Sequence, residues 1–193
     1  SREGDCYNRE HSVPKSWLGG NKYSDAHVVV PTDGYVNNRR SNMPFGEVGS
    51  TSYVSNGGFS RVGTCSVAGY SGTVFEPADE YKGDFARIYF YMATRYTTAC
   101  GGWSGEGSSV FSGSFPYLKD WTREMMLRWH REDPVSEKEV NRNDAVYQLQ
   151  GNRNPFIDYP ELVDLIFGEQ TSTPFTPGAT AYIESPAAGS TIE

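Results

Sequence analysis

Glu10 and His11 stand side by side, and Asn37 and Arg40 follow one helical turn apart at a distance of roughly thirty residues. A carboxylate and a neutral amide oxygen, completed by water, suit Mg²⁺, which takes few protein ligands and keeps much of its hydration shell. A histidine titrates near neutrality, so His11 beside such a metal has the chemistry of a base that deprotonates water. A glutamate, a histidine, an asparagine and an arginine in this order are the parts of a one-metal site for cutting phosphodiesters. Taken singly, each has an ordinary explanation: a hydrogen-bonded surface His, a local Asn contact, a solvated Arg face.

The elements that must position them can be read from the intervening residues. On an extended strand Glu10 and His11 would point to opposite faces, but at a strand end both can turn towards one ligand. Pro14 argues that this strand stops soon after His11. Gly19-Gly20-Asn21 reads as a turn, and Ala26-His27-Val28-Val29-Val30 as a second, β-branched strand closed by Pro31. Thr32 is expected as N-cap and Asp33 in the first turn of a short helix to about Asn42. On that helix Asn37 shares a face with Asp33 and Arg40. The order is strand, loop, strand, helix.

At family spacing these residues resemble the endonuclease I family of secreted, non-specific nucleases, in the His-Me finger (ββα-metal) group. The resemblance is carried by Tyr7-Asn8-Arg9-Glu10-His11-x-x-Pro14, by Ser24-Asp25-x-His27, and by the run from Pro31 through Asn37 and Arg40 to Asn42. A further block, Gln150-Gly151-Asn152-Arg153-Asn154-Pro155-Phe156, is similar to the family's C-terminal signature. The resemblance implies Glu10 and Asn37 as ligands of Mg²⁺ (Mn²⁺ or Ca²⁺ in the same site) and His11 as general base. It also implies an arginine on the phosphate, for which Arg40 is the first choice. Lys15, Arg39, Arg87 and Arg153 stay open as phosphate-binding candidates. Val28 departs from the family, many of whose members carry a polar residue there. The fold implied is α+β: a ββα-metal finger embedded in a mixed, loop-rich domain with several helices in the C-terminal half. The activity implied is hydrolysis of DNA and possibly RNA, with little base preference and 5′-phosphate ends, in a secreted or periplasmic protein.

Composition constrains this reading. The chain of 193 residues has a net charge of −7, awkward for a protein that binds nucleic acid. Between Arg9 and Arg40, however, five basic residues (Arg9, Lys15, Lys22, Arg39, Arg40) face three acidic ones (Glu10, Asp25, Asp33), so the site can be locally positive. Binding through few, salt-sensitive phosphate contacts is the expectation. No apolar run approaches the length of a membrane span. Cys6, Cys65 and Cys100 lack metal-ligand spacing; either one disulfide, with Cys65–Cys100 slightly favoured, or three buried thiols is expected.

Residues 1–168 read as one nuclease domain, whose finger opens so early that some N-terminal sequence is expected to be missing. Residues 44–76 read as irregular strands with a hairpin at Ser55-Asn56-Gly57-Gly58. Residues 79–96 read as a helix with an apolar stripe (Phe85, Ile88, Tyr89, Met92, Tyr96) and Arg87 off it. A second helix is expected at 117–132, with His130 a satisfied residue near its end. Ser136 and Glu139 form a capping box for a third helix that Gly151 ends. Pro160 suits the start of a last short helix, in which Leu162, Val163, Leu165 and Ile166 are expected buried. Residues 169–193 are rich in Thr, Ser, Pro and Gly, a linker or the start of a further β module. The rival from another class is a non-catalytic module that grips nucleic acid or glycans within a larger secreted protein. A site-specific nuclease on the same finger would need a basic reading segment, and none is visible.

Overall fold

The computed structural model describes residues 2–177, so most of the stretch 169–193, read above as a linker or the start of a further β module, lies outside it. The fold is α+β. Strand β1 (Tyr7–His11) pairs antiparallel with β2 (Val29–Asp33), and helix α1 (Gly34–Arg40) follows directly. A second antiparallel sheet, in the order β3-β4-β5, comprises β3 (Val48–Val54), β4 (Arg61–Cys65) and β5 (Thr73–Glu76). The β3-β4 connection passes through Ser55 to Gly58, where the hairpin is expected. The remaining helices are α2 (Lys82–Arg95), α3 (Thr97–Cys100), α4 (Gly107–Val110), α5 (Asp120–Glu132), α6 (Glu137–Gln150), α7 (Pro155–Asp158) and α8 (Leu162–Ile166). Among the described residues no helix is long and apolar enough to cross a membrane.

Several local expectations shift, each for a physical reason. Ala26–Val28 is a 3-10 turn rather than strand, because the Asp25 carboxylate caps it by accepting the His27 N–H at 2.9 Å. Pro31 sits inside β2 instead of closing it. Hydrogen bonds from Ser12 N to Val28 O and from Gly34 N to Cys6 O bracket the ladder, which makes Arg9–Pro31 a non-hydrogen-bonded pair. A proline there removes no ladder donor. Asp33, not Thr32, caps α1: its Oδ1 accepts the N–H groups of Tyr35 and Val36, both at 2.9 Å. Gly34 is where α1 crosses β1; a Cβ there would lie 2.7 Å from Cys6 Sγ.

The core is built on α2, packed against α5. Ile88, Tyr89, Phe90, Met92 and Ala93 are all buried, as are Met125, Met126 and Trp129 opposite. Each large apolar side chain so buried contributes roughly 1.5–3 kcal/mol. Val28 lies in this core, fully buried, so an apolar residue suits its position. Helix α6 starts at the expected Ser136/Glu139 capping box and ends at Gly151, which takes φ 76°. In α8 only Val163 of the four apolar residues is fully buried. The three thiols are free, Cys6 exposed, Cys65 partly buried and Cys100 buried, so neither a Cys65–Cys100 bridge nor a fully buried trio is formed. Cys100 Sγ instead donates to Tyr96 O at 3.2 Å.

Arg87 corrects the sequence reading most plainly. It is buried with the apolar stripe rather than off it, because α2 is covered on nearly every side. Its guanidinium forks onto Glu139 (Nε to Oε1 2.6 Å, Nη2 to Oε2 2.7 Å) and donates to Asp133 O at 2.8 Å. Such a group has no surface to offer a phosphate. Arg87→Ala leaves the Glu139 carboxylate buried without a counter-charge and is expected to cost about 3–5 kcal/mol. Urea unfolding measures this, and a loss below about 1 kcal/mol would reject the pair as a structural tie.

Candidate active site

The edge of β1 that faces away from β2 explains how α1 is seated. Arg9 and His11 belong to non-hydrogen-bonded pairs, so their carbonyls project from this unpaired edge. Asn37 Nδ2 donates to Arg9 O at 3.3 Å, and Arg40 Nη1 donates to His11 O at 2.7 Å. The expected sharing of one helix face by Asn37 and Arg40 thus has a concrete use: two turns of α1 cover the open strand edge.

Arg40 does more. Nη1 also contacts Glu10 Oε1, and Nη2 donates to Ser12 O at 2.7 Å. The guanidinium lies 4.1 Å from the centre of the Phe45 ring and is 1% exposed. Arg40 was the first choice for a phosphate contact. Buried, with both terminal nitrogens engaged by Glu10, His11 and Ser12 and only Nε without a partner, it is not placed to reach one.

Glu10 is buried, and burial pushes its carboxyl above the ordinary range, with the Arg40 charge and hydrogen bond pulling the other way. Its charge is therefore incompletely compensated by the protein. Oε2 accepts no hydrogen bond among the described residues. Glu10 and Asn37 line the same cavity, of about 550 Å³, together with Asp33, Val30, Phe45 and Phe85. The Asn37 amide nitrogen is committed to Arg9 O, which leaves its Oδ1 to accept. One under-compensated carboxylate and one oriented amide oxygen fit a divalent cation that retains water. Among the described residues no three His, Cys, Asp or Glu side chains form a metal-binding group. A site of two oxygen ligands does not require one.

His11 is not part of that cavity's lining; it leaves β1 from the other face, at the end of the strand. Its Nε2 lies 3.1 Å from Tyr23 O. A carbonyl only accepts, so Nε2 carries the hydrogen and neutral His11 presents the Nδ1 lone pair. Burial pushes the imidazole below its ordinary value; the Tyr23 contact opposes this, and the charges of Lys15, Arg9 and Arg40 add to it. The ring is neutral at pH 7 and able to accept a proton.

The other basic candidates separate by their partners. Arg153 is neutralised by Asp158, with Nε to Oδ2 at 2.8 Å, and by Asp144 at 2.7 Å. Lys15 lies 4.2 Å from the centre of the Tyr23 ring, and Arg39 lies over Tyr35 and Tyr53 at 5.2 and 5.0 Å. Among the described residues neither is paired with an acid, so Lys15 and Arg39 keep charge for a ligand.

Three residues of the supporting structure have roles that the sequence did not reveal, although Asp25 and His27 stood in the block Ser24-Asp25-x-His27. Tyr23 matters through its carbonyl, which no side-chain pattern reports. Asp25 accepts from Tyr91 OH at 2.7 Å, Tyr96 OH at 2.8 Å and Gln150 Nε2 at 2.9 Å. His27 Nε2 meets Asn152 O at 3.1 Å, and Asn152 Nδ2 donates to Tyr91 OH at 2.8 Å. This knot joins the Ser24-Asp25-x-His27 block to the Gln150-Gly151-Asn152 block. Burial alone would raise Asp25, but the bonds from Gln150, Tyr91, His27 and Tyr96 outweigh it and hold the carboxyl below the ordinary range. A depressed folded value stabilises the fold above the unfolded value and loses that contribution as pH falls through the folded one. Asp25→Asn is therefore expected to destabilise most near pH 6–7, with the gap to the parent closing below about pH 4. Denaturant titrations at several pH values measure it; a gap independent of pH would refute an ionised, stabilising Asp25.

Comparison with known proteins points to one family. The family model described as Endonuclease I matches residues 1–161. An extracellular ribonuclease of Bacillus amyloliquefaciens is 38% identical over 167 residues, 83% of this chain and 54% of the relative. An extracellular ribonuclease of Bacillus subtilis (strain 168) matches with the same identity and coverage. An extracellular deoxyribonuclease of Aeromonas hydrophila is 29% identical over 136 residues, 69% of this chain and 49% of the relative. The chain spans about half the length of these curated relatives.

Proposed function

Because this chain belongs to the endonuclease I family, we propose that it is a metal-dependent endonuclease that hydrolyses backbone phosphodiesters of RNA and DNA without reading bases. The observation that carries the proposal is the pairing of two prepared groups at one end of β1. Glu10 and Asn37 open their oxygens into a shared cavity, and His11 is fixed by Tyr23 O with Nδ1 free. In this reading β1, β2 and α1 are the ββα-metal finger.

His11 Nδ1 takes the proton from the attacking water, and the Tyr23 carbonyl stabilises the imidazolium that forms by holding Nε2–H. Glu10 and Asn37 would hold Mg²⁺, with Mn²⁺ or Ca²⁺ as alternative occupants, and a bound ion would supply positive charge to stabilise the charge that builds in the transition state. Arg40 keeps Glu10 in place and, by gripping the carbonyls of His11 and Ser12, fixes where the base leaves the strand. Departure of the 3′ oxygen yields 5′-phosphate ends. Lys15 and Arg39 remain available for neighbouring phosphates. The names of the relatives, ribonuclease and deoxyribonuclease, extracellular and periplasmic, support both substrates and a secreted or periplasmic setting.

The net charge of −7 favours a second reading, a binding module without catalysis. Plasmid nicking in Mg²⁺, in Mn²⁺ and in EDTA separates the two. Metal-dependent relaxation is expected from the parent, and a loss on the order of 10²- to 10⁴-fold from His11→Ala. Parent-rate cleavage by that variant would remove His11 as the base, and a folded parent that never nicks would favour the binding module. Glu10→Gln keeps an acceptor for Arg40 and is expected to weaken Mg²⁺ binding by calorimetry. Unchanged affinity would take Glu10 out of the metal site.

A further inference from the structure

We propose that Tyr7 and Arg9, on the face of β1 turned away from α1, extend the site as a track for single-stranded nucleic acid, Arg9 holding the phosphate next to the one cleaved at the strand end and Tyr7 lying beneath an unpaired base. This rests on the nuclease reading of His11 and adds the form of substrate that the site prefers.

Strand alternation sorts β1 into two rows. Asn8 and Glu10 face α1: Glu10 reaches Arg40, and the Asn8 Cβ is 3.7 Å from where a side chain on Gly34 would begin. Tyr7, Arg9 and His11 form the opposite row. Tyr7 is 70% exposed, and Arg9 is exposed as well. Opposite Arg9 stands exposed Pro31, so no long side chain on β2 screens the cation.

The charge on this row is unspent. Arg61, Arg87, Arg123, Arg128, Arg131 and Arg153 are all ion-paired with carboxylates. Among the described residues Arg9 has no acidic partner, and Lys15, near the same end of the row, has only the Tyr23 ring. On a chain of net charge −7, most arginines are neutralised internally, while the two cations flanking His11 are not.

Spacing and chemistry agree. Alternate residues of a strand lie about 6.8 Å apart on one face, comparable with successive phosphates of an extended nucleic-acid strand. A cation one step from the base can therefore hold the adjacent phosphate. A flat aromatic one step further offers a stacking surface, and stacking tolerates any base. In a duplex that base face is already covered by its neighbours. Tyr7 should thus act on single strands alone, whereas Arg9 should act on both forms.

The test is fluorescence anisotropy with labelled single-stranded RNA, single-stranded DNA and a duplex, over a range of salt, using the full chain carrying His11→Ala to suppress cleavage. Tyr7→Ala is expected to weaken both single strands roughly tenfold and leave the duplex unchanged, with Tyr7→Phe restoring parent affinity. Arg9→Ala is expected to weaken all three and to lower the single-strand salt slope by about 0.7. An unchanged single-strand affinity in Tyr7→Ala, an equal loss on the duplex, or a parent salt slope in Arg9→Ala overturns the track. If the parent nicks plasmid while these variants bind like the parent, the track alone fails. If the parent neither nicks nor binds, the nuclease reading fails with it.

Discussion

The candidate site depends on one buried cation. Arg40, itself 1% exposed, reaches from the last turn of α1 to the Glu10 carboxylate and to the carbonyls of His11 and Ser12. A guanidinium taken out of water is costly unless its donors are met, and a carboxylate beside it is costly unless its charge is answered. The carboxylate and the carbonyls of His11 and Ser12 answer both terminal nitrogens, while Nε is left without a partner. The Glu10 side chain and the backbone at His11 are thereby located by the same planar group. Lysine, a point charge without a fork, would not fix both.

On the proposed reading, the pairing of cations also bears on how an acidic protein could present a surface to polyanions. Most of its arginines are spent inside or against carboxylates, as in the Arg87–Glu139 pair and the Arg153 cluster. Charge available to a ligand is therefore a matter of which cations lack partners, not of the total. Lys15 and Arg39 rest on tyrosine rings, which hold a cation in place without cancelling it.

Much of the β1-β2-α1 unit was legible because its residues lie close together in the chain. Glu10-His11 next to a strand end, Asn37 on a helix, the capping box at Ser136 and the helix stop at Gly151 all follow from local spacing. What failed to show was long-range or carried by backbone. Covering α2 on nearly every side turned Arg87 from a candidate ligand contact into an internal tie. The Asp25 carboxylate imposed a 3-10 turn where a β-branched run suggested strand, and the pairing class of Arg9–Pro31 allowed a proline within β2. Arg40 had the right helix face and the wrong environment: periodicity gives direction but not depth.

The knot around Asp25 has a consequence for the order in which the molecule is assembled. Its partners lie at Tyr91, Tyr96 and Gln150, and among the described residues the His27 ring nitrogens are met by Asn152 alone. A ribosome making this chain has produced Glu10, His11 and Asn37 long before Gln150 and Asn152, which complete the contacts of Asp25 and His27. Loops of that length close late, after local helices have formed. The residues proposed for the chemistry are therefore made well before the support that seats them is complete.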